Sequence, residues 1–287
     1  MPELPEVETV VRGLRASVLG RRITGVRFGK TDFIENPAAL EERLPGQRIA
    51  EIERYGKFIS IRLDPARDAD PPFYLAIHLG MTGQIVARHA EEDVAPHTHA
   101  FLALDDGREI RYTDPRRFGR IRLLSGPLAG ALREPLGLDP LAMSEAEFRA
   151  ALHPRRARIK ALLLDQLVLR GMGNIYTDES LWRARIHPQR LGARLSDQEL
   201  RRLYRAIQKV LHAAIEGHGS SISDYRDAYG LPGNFQHSHR VYQREGKPCA
   251  RCRSKIRRTI VAGRSSFFCP RCQAKPRGKR KKASGAR

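Results

Sequence analysis

Acidic residues are scarce relative to basic ones in this 287-residue chain. There are 32 Asp and Glu against 52 Lys and Arg, a formal net charge of +20. Such a surplus points to a polyanionic partner, nucleic acid first and an anionic membrane surface second. No stretch approaches about 18 consecutive apolar residues, which excludes a transmembrane helix. No apolar signal core is present near the acidic N-terminus, so secretion is not expected and the chain reads as cytoplasmic. Cysteine is absent from the first 248 residues, and all four cysteines lie in the last 40. That placement excludes a disulfide scaffold and implies a local device. No coiled-coil pattern is present, so a monomer is expected. The length leaves room for two or three domains with real cores.

The chain opens Met1-Pro2-Glu3-Leu4-Pro5-Glu6. Removal of Met1, usual before a small residue, leaves Pro2 with a free secondary amine. Its pKa lies nearer that of an α-amino group than of a lysine, so a useful fraction is unprotonated near neutral pH. Such an amine can attack an electrophilic carbon and hold it as an iminium, with Glu3 beside it to move protons. The same residues also suit a helix start, since Pro5 fits a first turn and acids favour a helix N-terminus. Val7, Val10, Val11, Leu14 and Val18 follow helical spacing from Pro5 to a stop at Gly20.

Residues 22 to about 123 read as short strands, including Arg22–Phe28, Arg48–Tyr55, Lys57–Leu63 and Tyr74–Ile77. Phe101–Leu104 and Glu109–Tyr112 flank Asp105-Asp106-Gly107, a hairpin signal. Together these imply a β-sandwich carrying a helix. Residues 87–98 read as a loop and 124–138 as an interdomain connection. Helical spacing marks Glu145–Leu152, Ile159–Leu169, Tyr176–Ala184 and Ser196–Ile215. The Gly171-Met172-Gly173-Asn174 turn is either a phosphate cradle at a helix start or a plain interhelical turn. A glycine- and serine-rich loop occupies 216–240.

Cys249-x2-Cys252, sixteen residues, then Cys269-x2-Cys272 has the spacing of a four-cysteine zinc site. Four protein ligands leave no open position, so one structural Zn2+ is expected. Lys255, Arg257, Arg258 and Arg264 suit a basic two-stranded ribbon that meets a DNA groove. The tail beyond Cys272 is basic with no acid, and reads as disordered chain adding sequence-independent phosphate affinity.

Taken together, Met1 to Thr9 (MPELPEVET), Tyr112 to Gly119 (YTDPRRFG), Gly173-Asn174-Ile175-Tyr176 and the four-cysteine finger resemble bacterial formamidopyrimidine-DNA glycosylases. The resemblance runs from residue 1 to about 273. It implies an α+β multidomain fold: a catalytic β-sandwich with a helix over 1–130, a helix–two-turn–helix domain with a lesion loop over 131–235, a zinc finger over 236–273 and the disordered tail 274–287. It also implies a bifunctional glycosylase and abasic-site lyase that removes oxidised purines from duplex DNA by β- and δ-elimination, with damaged double-stranded DNA as partner and no membrane.

By the same resemblance, Pro2 is the nucleophile, Glu3 a proton donor, Lys57 a phosphate contact assisting elimination, and Arg264 the finger residue holding phosphates around the lesion. Met81, Arg116 and Phe118 fill the hole left by an extruded base, with Arg116 facing the orphaned cytosine. His97, Arg155, Lys160 and Asn174 are further DNA contacts. Arg155 stands where a relative carries Lys, which keeps the charge and changes its geometry. The rival readings are the sister endonuclease VIII acting on oxidised pyrimidines, a non-catalytic zinc-finger DNA-binding protein, and a zinc-ribbon RNA-binding protein.

Overall fold

The structure is a computed structural model that describes residues 1–65, 71–132, 135–222 and 224–275. The expected basic tail lies outside the described residues beyond 275. The chain divides into two units. One contains Met1–Met143, Asp165–Gly173 and Gln208–His239; the other contains Ser144–Leu164, Asn174–Ile207 and the chain from Arg240.

The first unit begins with helix α1, Leu4–Val18. Pro5 sits in its first turn, and the Glu6 carboxylate accepts the Glu3 N–H at 2.8 Å, so an otherwise orphaned amide is satisfied. There follow β1 Ile23–Phe28, α2 Pro37–Arg43, β2 Arg48–Tyr55, β3 Phe58–Asp64, β4 Phe73–His78, β5 Gln84–His89, β6 Thr98–Leu104, β7 Arg108–Thr113, β8 Arg120–Leu124 and the short α3 Leu128–Ala131. The strands form two four-stranded sheets, ordered β1-β6-β7-β5 and β2-β3-β4-β8. Every neighbouring pair is antiparallel.

Period-two alternation fills the sandwich. Ile59, Ile61 and Leu63 of β3 meet Ile85, Leu102 and Ile110 of the other sheet in one buried cluster. The apolar stripe of α1 joins the same cluster through Val7, Val10, Val11, Leu14 and Val18, packing on β2, β3 and β5. Each such side chain contributes about 1.5–3 kcal/mol on burial. This is what stops the N-terminus from fraying.

Four elements, α2, β5, β8 and α3, are not named in the sequence reading, which gives 124–138 only as a connection. β5 and β8 are edge strands, where Gln84, Arg88, Arg120 and Arg122 dilute the apolar pattern. The expected loop 87–98 is therefore strand as far as His89.

The second unit holds α4 Glu145–Leu152, α5 Ile159–Leu164, α6 Asn174–Ala184, and α7 Asp197–Glu216 up to Ile207. It also holds a two-stranded ribbon, β9 Arg257–Val261 with β10 Arg264–Phe268. A capping box starts α4: Ser144 Oγ accepts the Glu147 N–H at 3.2 Å, and Glu147 Oε2 accepts the Ser144 N–H at 2.8 Å. Helix α5 ends at Leu164 rather than at the expected Leu169. The Asp165 carboxylate accepts the Leu167 N–H at 2.9 Å, a local bond that competes with the helix. No described helix is long and apolar enough to cross a membrane. Sandwich, helices and ribbon make up the expected α+β multidomain fold.

Candidate active site and metal centre

In the first unit the N-terminal residues are held from several sides. Pro2 is buried, and Glu3 is 4% exposed. The Leu4 N–H donates to the Gly171 carbonyl at 2.9 Å. Gly171 has φ +89, and a Cβ there would stand 2.9 Å from Leu4. At Gly173 a Cβ would fall 2.1 Å from Glu3 Cδ, closer than any real contact. The glycine turn is therefore a cradle for Glu3. Within it the Gly171 N–H donates to Gln166 Oε1 at 2.8 Å.

Glu6 is a participant that sequence reasoning gave no role. It is 1% exposed, takes the Glu3 N–H on one oxygen, and takes the Ser220 N–H on the other at 2.7 Å. The Tyr225 hydroxyl donates to its carbonyl at 3.3 Å. One buried carboxylate thus ties the amino terminus to the loop at 217–239. Its position three residues after Glu3, in the spacing of a capping box, is the signal that marks it.

Lys57 lies in the turn between β2 and β3, not at the strand start, and is half-buried. Gly56 before it has φ +62, as the first position of a type II′ hairpin turn requires. Burial and the charges of Lys57 and Arg120 lower the His78 pKa to about 4. The neutral ring accepts the Gly80 N–H on Nδ1 at 3.1 Å.

Met81, Arg116 and Phe118 come together on two abutting turns. A Cβ on Gly80 would stand 2.4 Å from the Phe118 carbonyl carbon, so only glycine allows the approach. Met81 and Phe118 are 42% and 52% exposed, and the Arg116 guanidinium lies 4.6 Å from the Phe118 ring centre. Fully buried Asp114 fixes the second turn. It accepts Thr82 Oγ1–H at 2.5 Å, the Tyr112 hydroxyl at 3.2 Å, and the N–H groups of Arg116 and Gly119 at 3.3 and 2.8 Å. Exposed apolar side chains on so rigid a mount invite a partner. His97 is exposed with φ +63, and its carbonyl accepts the Asp114 N–H at 3.0 Å.

In the second unit Arg155 is exposed, its Nε donating to the Ala151 carbonyl at 3.0 Å. Asn174 is half-buried at the start of α6, and its Oδ1 is buried without a hydrogen bond. Arg264 is exposed at the start of β10.

Lys160 requires a correction. It is not a surface contact. Its ammonium is fully buried, 2.7 Å from Asp178 and 2.8 Å from the Ser265 carbonyl. Burial pushes the Asp178 carboxyl above its ordinary range, and Lys160 opposes that shift. Asp178 also accepts the Phe267 N–H at 2.8 Å. The next residue, Glu179, accepts the N–H groups of Arg240, Val241 and Tyr242 at 2.9 Å each. This pair on α6 clamps the ribbon and the chain leading into it.

The thiols of Cys249, Cys252, Cys269 and Cys272 lie within 4.8 Å of one another. Their Sγ atoms are 4.0 Å apart for Cys249 and Cys272, and 3.3 Å for Cys252 and Cys269. A tetrahedron with metal–sulfur bonds of about 2.3 Å has edges of about 3.8 Å, so the set fits zinc. Cys249 Sγ accepts the Trp182 Nε1–H and the Arg251 N–H, each at 3.4 Å, and Cys269 Sγ accepts the Cys272 N–H at 3.4 Å. Donors aimed at sulfur favour the thiolates that a metal needs. The four cysteines hold one structural zinc ion.

Three family models match the chain. They are the formamidopyrimidine-DNA glycosylase N-terminal domain over residues 1–121, the formamidopyrimidine-DNA glycosylase H2TH domain over 136–226, and a zinc finger found in FPG and IleRS over 246–275. A formamidopyrimidine-DNA glycosylase of Solibacter usitatus is 48% identical over 275 residues, covering 95% of this chain and 99% of its own. The crystal structure of the MutM (Fpg) protein from Thermus thermophilus is similar with a TM-score of 0.82 at 42% identity, covering 95% of this chain and 98% of its own. A complex between the Lactococcus lactis Fpg and an abasic-site DNA gives 0.86 at 33% identity, over 95% of this chain and 100% of its own.

Proposed function

Because this chain belongs to the formamidopyrimidine-DNA glycosylase family, we propose that it is a DNA glycosylase and abasic-site lyase of base excision repair that removes oxidised purines from duplex DNA. The observation that carries this reading is the cradled amino terminus: buried Pro2 and Glu3 held by Gly171, Gly173 and Glu6. A helix start alone has no need of a glycine turn fitted to one carboxylate.

With Met1 removed, the Pro2 nitrogen attacks C1′ of the damaged nucleotide and the base departs, taking a proton. The sugar ring opens with a proton delivered from Glu3 to its oxygen, leaving an iminium between Pro2 and C1′. A secondary amine suits this step, since its iminium has no N–H to lose and stays a cationic electron sink. Loss of a C2′ proton expels the 3′ phosphate. A second elimination expels the 5′ phosphate, and water releases Pro2. Lys57 and Arg264 neutralise the flanking phosphates, which carry the growing charge.

Extrusion of the damaged nucleotide leaves a gap in the duplex. Phe118 wedges between base steps, Arg116 faces the orphaned cytosine and Met81 fills the remaining space. His97, Arg155 and Asn174 supply phosphate contacts that set register. The loop at 217–239 closes over the extruded base. The zinc ion is structural and enters no step. The cytoplasm, where bacterial DNA lies, is the site of action.

Strand cleavage of a duplex with one 8-oxoguanine opposite cytosine, against the same duplex with guanine, tests this. Cleavage confined to the lesion strand, at the lesion, is expected. Equal cleavage of both duplexes, or none, would sink the reading.

A further inference from the structure

Beyond Ser220 the loop lies along the outer edge of β5. Gln84 Nε2 donates to the Asp224 carbonyl at 2.6 Å, and Arg88 Nη2 to the Tyr229 carbonyl at 2.6 Å. Between them the Ala87 N–H points to the Ala228 carbonyl at 3.4 Å. The other edge of β5 is already paired with β7, so this arm covers a sheet edge that otherwise presents unpaired amides.

The arm is shaped to be received there. Asp227 is 2% exposed, and its Oδ1 accepts the N–H groups of Tyr229 and Leu231 at 2.9 Å each. Its own N–H donates to the Leu231 carbonyl at 2.9 Å, which closes a tight turn. Gly230 has φ +76, and a Cβ there would stand 2.3 Å from Arg88 Nη2. Behind the arm, a Cβ on Gly13 of α1 would stand 2.6 Å from Ala228 Cβ. Tyr225 and Ala228 belong to the sandwich core. The loop therefore has two anchors, an inner one on Glu6 and an outer one on β5. On the β5 side of the outer anchor the Arg88 guanidinium is the charged group that reaches the arm, and it also faces Glu92 Oε2 at 3.6 Å.

We propose that Arg88 is a positioning residue for lesion excision. It latches the 224–230 arm to β5 and so fixes the loop that faces the extruded base, without touching DNA. The proposal rests on the function proposed above and adds a split between two steps. Excision of a damaged base needs the loop in place. Cleavage of a preformed abasic site has no base for the loop to meet, and it uses Pro2 and Glu3, which Glu6 holds through the Glu3 N–H, a bond that Arg88 does not touch.

The test compares single-turnover excision of 8-oxoguanine with cleavage of a preformed abasic-site duplex, in the full-length zinc-loaded protein. Arg88→Ala is expected to slow excision about tenfold, the size of one lost charged hydrogen bond, and to change abasic-site cleavage by less than about twofold on the same scale. Gly230→Ala, strained at its positive φ and crowding the guanidinium, shifts the same ratio. Arg88→Lys recovers part of it. Hydrogen exchange of amides 227–231 rises in Arg88→Ala. Equal loss of both activities, or an unchanged ratio, overturns the latch. A wild-type protein that cleaves the abasic duplex but excises no 8-oxoguanine overturns instead the lesion reading, and the proposal with it.

Discussion

The amino-terminal residues and the zinc ribbon are fixed by the same kind of bond and by different supports. At the amino end, the Glu6 carboxylate gathers the N–H groups of Glu3 and Ser220. At the ribbon, Asp178 and Glu179 gather those of Phe267 and residues 240–242. Buried carboxylates that receive amides from distant segments are a compact way to tie chain together. Around Glu6 the remaining support is steric, glycines fitted to Glu3 and Leu4 over an aliphatic core. Around the ribbon it is electrostatic and covalent, a buried Lys160–Asp178 pair and a zinc centre. Steric support controls where an atom sits, so its failure is felt in rate. Electrostatic and metal support controls whether the segment folds at all, so its failure is felt in stability.

Stripping the zinc is the strongest way to break that contrast. Structural zinc in small fingers contributes on the order of 10 kcal/mol to folding. Chelation is expected to unfold the ribbon and abolish tight duplex binding while the sandwich keeps its own thermal transition, read by calorimetry and DNA titration side by side. Next comes Lys160→Met, which leaves the buried Asp178 carboxyl without its cation. It is expected to cost about 3–5 kcal/mol, measured by urea unfolding, and the double change Lys160→Met with Asp178→Leu should recover most of it.

At the amino end the effect moves from stability to rate. Gly173→Ala pushes a methyl into the Glu3 carboxylate. Excision should fall about a hundredfold, as expected when a reacting group shifts by about an ångström, with the sandwich melting temperature little changed. The last effect is a pH dependence. His78 titrates at about 4 in the fold against an ordinary 6.5. Between those values the unfolded chain binds the proton and the folded chain does not, so stability falls as pH drops through that window. Urea midpoints at pH near 4.5 should lie below those near 7, and the difference should shrink in His78→Gln.

Legibility in the sequence followed how local each signal was. β3 alternates cleanly, β2 is found where its residues place it despite a bulge between Ile49 and Glu51, and α1 keeps its stripe from Val7 to Val18. The cysteine knuckles carry their own spacing. β5 and β8 escaped because Gln84, Arg88, Arg120 and Arg122 interrupt their apolar pattern. Lys160 was misread for another reason. The resemblance placed it among the DNA contacts, and the partner that holds it buried lies 18 positions away on another helix. Glu6 looked like helix decoration, since its second bond is to Ser220, 214 residues further along the chain. Met81, Arg116 and Phe118 were nameable from their motif. That they share one mount, through Gly80 and Asp114, belongs to the fold.

The central claim is that the cradled amine of Pro2 carries the chemistry. Its most direct measurement is borohydride reduction during turnover on a duplex containing 8-oxoguanine opposite cytosine, followed by proteolysis and mass analysis of the adduct. The expected result is a covalent protein–DNA species whose DNA is attached to the N-terminal peptide at Pro2, and which is absent in Pro2→Gly. An adduct mapping to a lysine such as Lys57, or surviving undiminished in Pro2→Gly, would contradict it.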